Sequence, residues 1–207
     1  MTIHQVLLGS VSSSSGLIQS VEQFSITIGT GNTSNTATIN SVDTTKSFIA
    51  WGGCSSDDGS TNDAATNQTR VELTNATTVT ASRNSSSGSV SITVKGTVVQ
   101  LVSSKVQSIQ QGTITLTAAT SNTATISSVT TTNSLCAFLG QTCNQTSNNM
   151  DLSNARVELT NGTTVTATRV DATGNLTIGY VVVEFASGVL NSSTEQFSVS
   201  IAAGSTT

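Results

Sequence analysis

The sequence predicts an all-β protein made of two tandem antiparallel β-sandwich domains. Three observations carry that expectation. Apolar residues alternate with Ser and Thr at a period of two over most of the chain, and helical periodicity is nearly absent. Val, Ile and Thr dominate the alternating runs, and their branched side chains fit a pleated surface. Finally, a long block of sequence returns. Asn35-Thr-Ala-Thr-Ile39 recurs as Asn122-Thr-Ala-Thr-Ile126, and Arg70-Val-Glu-Leu-Thr-Asn75 recurs as Arg156-Val-Glu-Leu-Thr-Asn161. Ser47 to Gly52 matches Ser134 to Leu139, and Arg83 matches Arg169. A repeat this long can own a core, unlike the shorter unit of a solenoid. It sets the expected domains at 1–103 and 104–207, with the boundary in the small polar residues around Ser103-Ser104.

The strands follow in order. Phe24, Ile26 and Ile28 alternate with Ser25 and Thr27, and Ala37 and Ile39 alternate with Thr36 and Thr38. Phe48 to Trp51 is apolar on both faces. Val71 and Leu73, then Val79 and Ala81, are expected core positions, and Glu72 between them should face outward because successive side chains point to opposite sheet faces. Val90, Ile92 and Val94 precede a closing run at Val98, Val99 and Leu101. The second copy repeats this pattern through Ile114 and Leu116, Ala124 and Ile126, Leu135 to Leu139, Val157 and Leu159, Val165 and Ala167, and Leu176 to Val182. Asn75-Ala76 and Asn161-Gly162 read as hairpin turns, the second as the two-residue turn that favours positive φ at both centres. Further hairpin turns are expected at Ser85–Gly88 and Asp171–Gly174. Gly52 to Thr69 and Gly140 to Ala155 lack strand character, and long loops in a compact domain commonly bind something or move. At the C-terminal end Glu195-Gln-Phe-Ser-Val-Ser-Ile201 restates Glu22-Gln-Phe-Ser-Ile-Thr-Ile28, as if opening a third copy. Ile3 to Leu8 weakly resembles the closing strand Gly96 to Leu101. These terminal segments are expected to pair with sheet edges, in the same chain or in a neighbouring one.

Composition narrows the function. The chain has 207 residues, 35 % of them hydrophobic and only 9 % charged, with no proline and a net charge of −4. A mean hydropathy of +0.07 and patterned Val, Ile and Leu argue for a folded chain. The seven Lys and Arg are scattered, so no electrostatic footprint for nucleic acid or an anionic membrane is present. The first residues carry neither a basic segment nor a long apolar run, so neither a signal peptide nor a membrane span is read there, and synthesis in a cytoplasm is expected.

No catalytic constellation is visible. With a single histidine, a Ser-His-acid or Cys-His arrangement would have to be built on His4 at the terminus, far in sequence from the cysteines. Glu72 and Glu158 belong to strand faces rather than to a cleft of converging acids. No cofactor motif or metal-ligand spacing occurs, and no cofactor is expected. Asp57, Asp58 and Asp63 in the first long loop, with Asp151 in the second, are candidate contact residues; they read either as solvated loop acids or as ligands in a calcium cage. Arg83 and Arg169 lie in phase with core residues. Each should pack its stem and pair its head with Glu72 or Glu158, or else reach a partner's carboxylate or glycan. The three cysteines, Cys54, Cys136 and Cys143, argue against a disulfide framework; Cys136 reads as a buried hydrophobe, or as half of a loop-closing bridge to Cys143. Trp51, Phe138 and Tyr180 read as core.

The runs Gln107 to Leu116, Asn122 to Ile126, Arg156 to Arg169 and Tyr180 to Phe185 resemble a β-rich repeat of virion proteins in tailed bacteriophages. The resemblance covers most of both copies and carries no catalytic residues. It implies a virion component: a capsid decoration, head-fibre or tail-surface protein, with major capsid or other virion proteins and its own copies as partners. Copy one departs from the pattern at Thr93-Val-Lys95, set against Gly179-Tyr-Val181 in copy two. The leading expectation is a non-enzymatic structural protein on the particle surface, and the alternative is an adhesion module whose long loops contact a glycan.

Overall fold

The computed structural model describes residues 16–57, 63–86, 90–146 and 150–190. Asp58 and the terminal segments Ile3–Leu8 and Phe197–Ile201 lie outside them. The described chain is all-β and antiparallel, as the alternation predicts. The first half contains β1 (Ile18–Ile28), β2 (Ser34–Thr38), β3 (Ser47–Ser56), a helical turn α1 (Ala64–Asn67), β4 (Arg70–Asn75), β5 (Thr78–Ser82) and β6 (Ile92–Leu101). The second contains β7 (Val106–Thr117), β8 (Ser121–Thr125), β9 (Ser134–Cys143), a turn α2 (Met150–Ser153), β10 (Ala155–Asn161), β11 (Thr164–Arg169) and β12 (Asn175–Phe185). Both halves use one plan. In the first, β6 lies between β1 and β3, and β5 lies between β2 and β4. In the second, β12 lies between β7 and β9, and β11 lies between β8 and β10.

The alternating residues become the core. Phe24, Ile26 and Ile28 of β1 meet Ile92, Val94 and Val98 of β6, and all six are nearly inaccessible. Val71, Leu73, Val79 and Ala81 are 0–3 % exposed, so the strand phase read from the sequence holds, with Glu72 and Glu158 on the opposite face. Val165 and Ala167 are fully buried, Leu159 is 4 % exposed, and Val157 is only partly buried.

Several local expectations need correction. The β4–β5 and β10–β11 hairpins turn one residue later than expected, at Ala76-Thr77 and Gly162-Thr163. Neither turn uses positive φ. Instead the side-chain oxygens of Asn75 and Asn161 accept from the backbone N–H of Thr77 and Thr163, each at 2.9 Å, and a register shift absorbs the extra residue. The segments after β5 and β11 are not hairpins, because β5 and β6 belong to different sheets, as do β11 and β12. Strand character continues into both long loops, through Ser56 and Cys143, and carries Gly53 and Gly140 at φ of 96° and 85°. The cross-strand register sets Lys95 opposite Ser25 and Gly179 opposite Thr113. Lys95 therefore matches Gly179, two residues away from the correspondence read in the sequence.

Each half also carries an aromatic ring over a cross-strand glycine. Phe24 faces Gly96, where a Cβ would approach its ring to 2.6 Å, and Tyr180 faces Gly112, where a Cβ would approach its hydroxyl to 2.7 Å. Such a ring covers backbone that glycine leaves bare. The aromatic is on the first strand in one half and on the last strand in the other.

The halves do not keep separate cores. β4 meets β9 through the pair Arg70–Gly140, which fuses two three-stranded sheets into one six-stranded sheet, β2-β5-β4-β9-β12-β7. Alternate residues of β12 then serve two cores. Leu176, Ile178, Tyr180 and Val182 pack within the second half, while Val181, Val183 and Phe185 join Val106 and Leu139 in the core of the first. Hence β12 is apolar without alternation from Ile178 to Val183, the pattern of a strand buried on both faces.

Candidate functional site

The predicted contact residues fall into two groups, buried arginines and loop acids, and among the described residues neither group gathers into a metal or catalytic cluster. Arg83 and Arg169 are 4 % and 5 % exposed. Each guanidinium ties a turn to the chain entering the last strand of its half through backbone carbonyls. Arg83 donates from Nε to Asn32 O at 2.9 Å, from Nη2 to Gly29 O at 3.0 Å and from Nη1 to Val90 O at 3.1 Å. Arg169 donates from Nε to Ala119 O at 2.9 Å, from Nη1 to Thr173 O at 2.9 Å and from Nη2 to Gly174 O at 2.7 Å. Each also reaches the helical turn of its half, at Thr66 O and Leu152 O. Burial pulls both pKa values below the ordinary arginine value, with Asp57 and Asp171 respectively opposing the shift. The core phase of these arginines was legible in sequence, but their partners are not Glu72 and Glu158, and their heads are not presented to a ligand. Glu72 instead pairs with Arg70 at 2.8 Å.

The loop acids are spread out. Asp57 accepts from the Ser91 N–H at 2.8 Å. Asp63 caps α1 by accepting from the Ala65 N–H at 2.9 Å, a role its oxygen fills at many helix starts. Asp151 lies in α2. Among the described residues, no three His, Cys, Asp or Glu side chains gather where a metal ion could be held.

The cysteines are free thiols. Cys136 and Cys143 sit seven residues apart on the same extended strand, roughly 23 Å along it, which no disulfide can span. Cys136 is partly rather than fully buried, and burial still pushes its thiol up to about 11. Cys143 is shifted in the same direction, chiefly by burial. Neither is a nucleophile near neutral pH, because the thiolate is the reactive form.

What the fold does assemble is a docking contact between its halves. A Cβ at Gly140 would overlap the Thr69 carbonyl, so glycine is required there for steric reasons as well as for its φ. Beside it, the Gln141 N–H donates to Thr69 O at 2.9 Å. The Gln111 side chain donates to Leu73 O at 2.8 Å, Gln68 donates to Ser153 O at 2.6 Å, and the Ala65 N–H donates to Gln145 O at 2.9 Å. Gly179 clears room for the stem of Arg70, which a Cβ there would approach to 3.0 Å. Trp51 and Phe138 meet edge to face across the contact at 5.4 Å. A cavity of about 240 Å³ remains between β4, β7 and β9, lined by Arg70, Glu72, Gln111 and Leu139.

Sequence reasoning missed this contact. Its one available signal was the unbroken apolar run Ile178 to Val183, longer than a one-sided strand needs. Comparison with protein families, curated proteins and solved structures finds no match to this chain.

Proposed function

We propose that this chain is a non-enzymatic structural protein of a phage particle, one that decorates or stabilises the capsid or virion surface. The observation that carries the reading is the contact between the halves. The β4 edge of one half joins the bulged β9 edge of the other, with Arg70 packed beside it over Gly179, so like units of this fold are able to seat on one another. The resemblance of Gln107–Leu116 and Arg156–Arg169 to a phage virion repeat supplies the particle. The burial of Arg83 and Arg169 with their guanidinium groups bonded to backbone carbonyls, and the capping role of Asp63, support a scaffold role. Its partners would be major capsid or other virion proteins. Mass spectrometry of purified particles tests the reading: the chain should be a stoichiometric component, and particles lacking it should adsorb normally but lose resistance to heat or low salt. Absence from the particle overturns the proposal. Lost adsorption with undiminished particle stability would assign it to adhesion instead.

A further inference from the structure

The contact between the halves has two components: a strand edge from the first half, and a bulged edge with an adjoining sheet face from the second. The shared register places a second set of both in the same chain. Gly53 matches Gly140, and its φ of 96° repeats the 85° of its counterpart. Around Gly140 the space is filled by Thr69; around Gly53, among the described residues, nothing lies within 4 Å of where a Cβ would stand. Cys54 is exposed where Gln141 is buried. On the other side, β10 carries Ala155-Arg156 where β4 carries Thr69-Arg70, and among the described strands it pairs with β11 alone. Val71 and Ile49 are 0 % and 1 % exposed, yet their counterparts Val157 and Cys136 remain partly open. In the first half a sheet covers those positions. In the second half the same cover is incomplete.

We propose that copies of this chain associate head to tail. The Ala155–Arg156 edge of one copy seats against Gly53 and the exposed Lys95 end of the β1-β6-β3 sheet of the next, as Thr69–Arg70 seats on Gly140 beside Gly179 within the chain. The proposal extends the structural role above but stands on the internal contact alone, so absence from a phage particle would not remove it. The occupant must be a like unit because the bulge, the positive φ and the bare core edge fit the geometry that this fold already supplies to itself. The two versions differ in chemistry. Lys95 replaces Gly179 and Gly52 replaces Leu139, so bulk moves from one strand to the next and a cation enters. Lys95, Arg156 and Glu158 are all exposed. At the seated edge Glu158 would lie between the two cations, as Glu72 already holds Arg70. The contact between chains is therefore more polar than the internal one, reversible, and weakened by salt. Because the joined surfaces differ, it can propagate rather than close at two copies.

Sedimentation velocity on the full chain, at low salt and up to roughly 1 mM, tests this. Species larger than a monomer should grow with concentration and diminish with added salt. Gly53→Asn fills the vacant space at the cost of some backbone strain, and should abolish association while a thermal melt still shows a folded monomer. Lys95→Glu and Glu158→Lys should each weaken association about tenfold or more, equivalent to about 1.4 kcal/mol. The double reversal should recover it, an outcome that a merely misfolded variant cannot produce. A chain that stays monomeric throughout, or associates unchanged with Gly53→Asn, overturns the proposal.

Discussion

At the residue scale, Arg83 and Arg169 are the clearest case of one side chain fixing the path of several segments. A planar guanidinium offers donors in a fixed fork, and here they meet carbonyls from the β1–β2 and β7–β8 turns, the helical turns and the chain entering β6 and β12. Lysine carries the charge but not the fork. Arg83→Lys or Arg169→Lys should therefore cost roughly 2–4 kcal/mol, as buried carbonyls lose their donors; chemical denaturation measures it, and a loss below about 0.5 kcal/mol would show the carbonyls find other partners. The acids act differently. Hydrogen bonds from the Thr45 and Thr173 hydroxyls and N–H groups hold Asp43 and Asp171 below the ordinary carboxyl value of 3.8. A depressed folded-state pKa gives stability that is present above the unfolded value and lost as pH falls through the folded one. Acid should thus destabilise the protein modestly below the ordinary Asp range, and Asp171→Asn should flatten that dependence in melts taken between neutral and acid pH. The arginines' core phase was legible because it follows the strand period. Their carbonyl partners were not, since every residue has a carbonyl and only the folded path decides which ones converge.

At the element scale, strand phase was the most legible property of this chain, because one buried face imposes alternation on the sequence. Leu73, 3 % exposed in β4, tests it directly. Leu73→Ala should cost roughly 2–5 kcal/mol, and a cost near zero in urea titrations would reverse the phase. The connections were harder. The Asn161-Gly162 pair suggested a mirror-image turn, but the asparagine oxygen satisfies the Thr163 N–H, and a register shift absorbs the extra residue. A Cβ at Gly162 would come within 2.7 Å of the Val129 carbonyl, so the alanine that stands at the matching position of the first half, Ala76, would fit here only after a local shift. The passage from β5 to β6 resembled a hairpin because two strands flank a short polar segment. Nothing local distinguishes a return within one sheet from a step to the facing sheet.

At the scale of the whole molecule, the repeat announces what the halves share, whereas their junction depends on where they differ. The substitution of Gly179 and Leu139 for Lys95 and Gly52 carries that difference; the Gly52–Leu139 match is readable in the sequence, but the Lys95–Gly179 match is invisible until the register is known. The shared core has a thermodynamic consequence. Val106, Leu139, Val181, Val183 and Phe185 leave the core of the first half if the second is removed. A fragment of residues 1–104 should therefore lack a cooperative melt, and the full chain should unfold in a single calorimetric transition. Two separate transitions, or a well-folded fragment, would show that the halves are energetically independent. Among the described residues the junction is also the least satisfied part of the interior: Trp51 Nε1, Gln68 Oε1, Thr69 Oγ1 and Arg70 Nε are buried there without partners among them. Hydrogen exchange should accordingly be faster at β4 than at β5.

The opposed placement of Phe24 over Gly96 and Tyr180 over Gly112 bears on how a chain containing two nearly alike halves reaches the right connectivity. A newly made polypeptide of this kind risks pairing the opening strand of one half with the closing strand of the other. If β1 took β12, Phe24 would stand against Tyr180, two rings contending for one layer; if β7 took β6, Gly112 would face Gly96 and leave a gap. Only the correct pairings match a ring with a bare backbone. The two pairs thus act as lock and key between otherwise interchangeable strands, biasing the chain against exchange between halves and between neighbouring molecules. Making the halves alike, by Gly112→Phe with Tyr180→Gly, should preserve each ring-to-glycine match, remove the discrimination, and raise the yield of strand-exchanged dimers on refolding at high concentration.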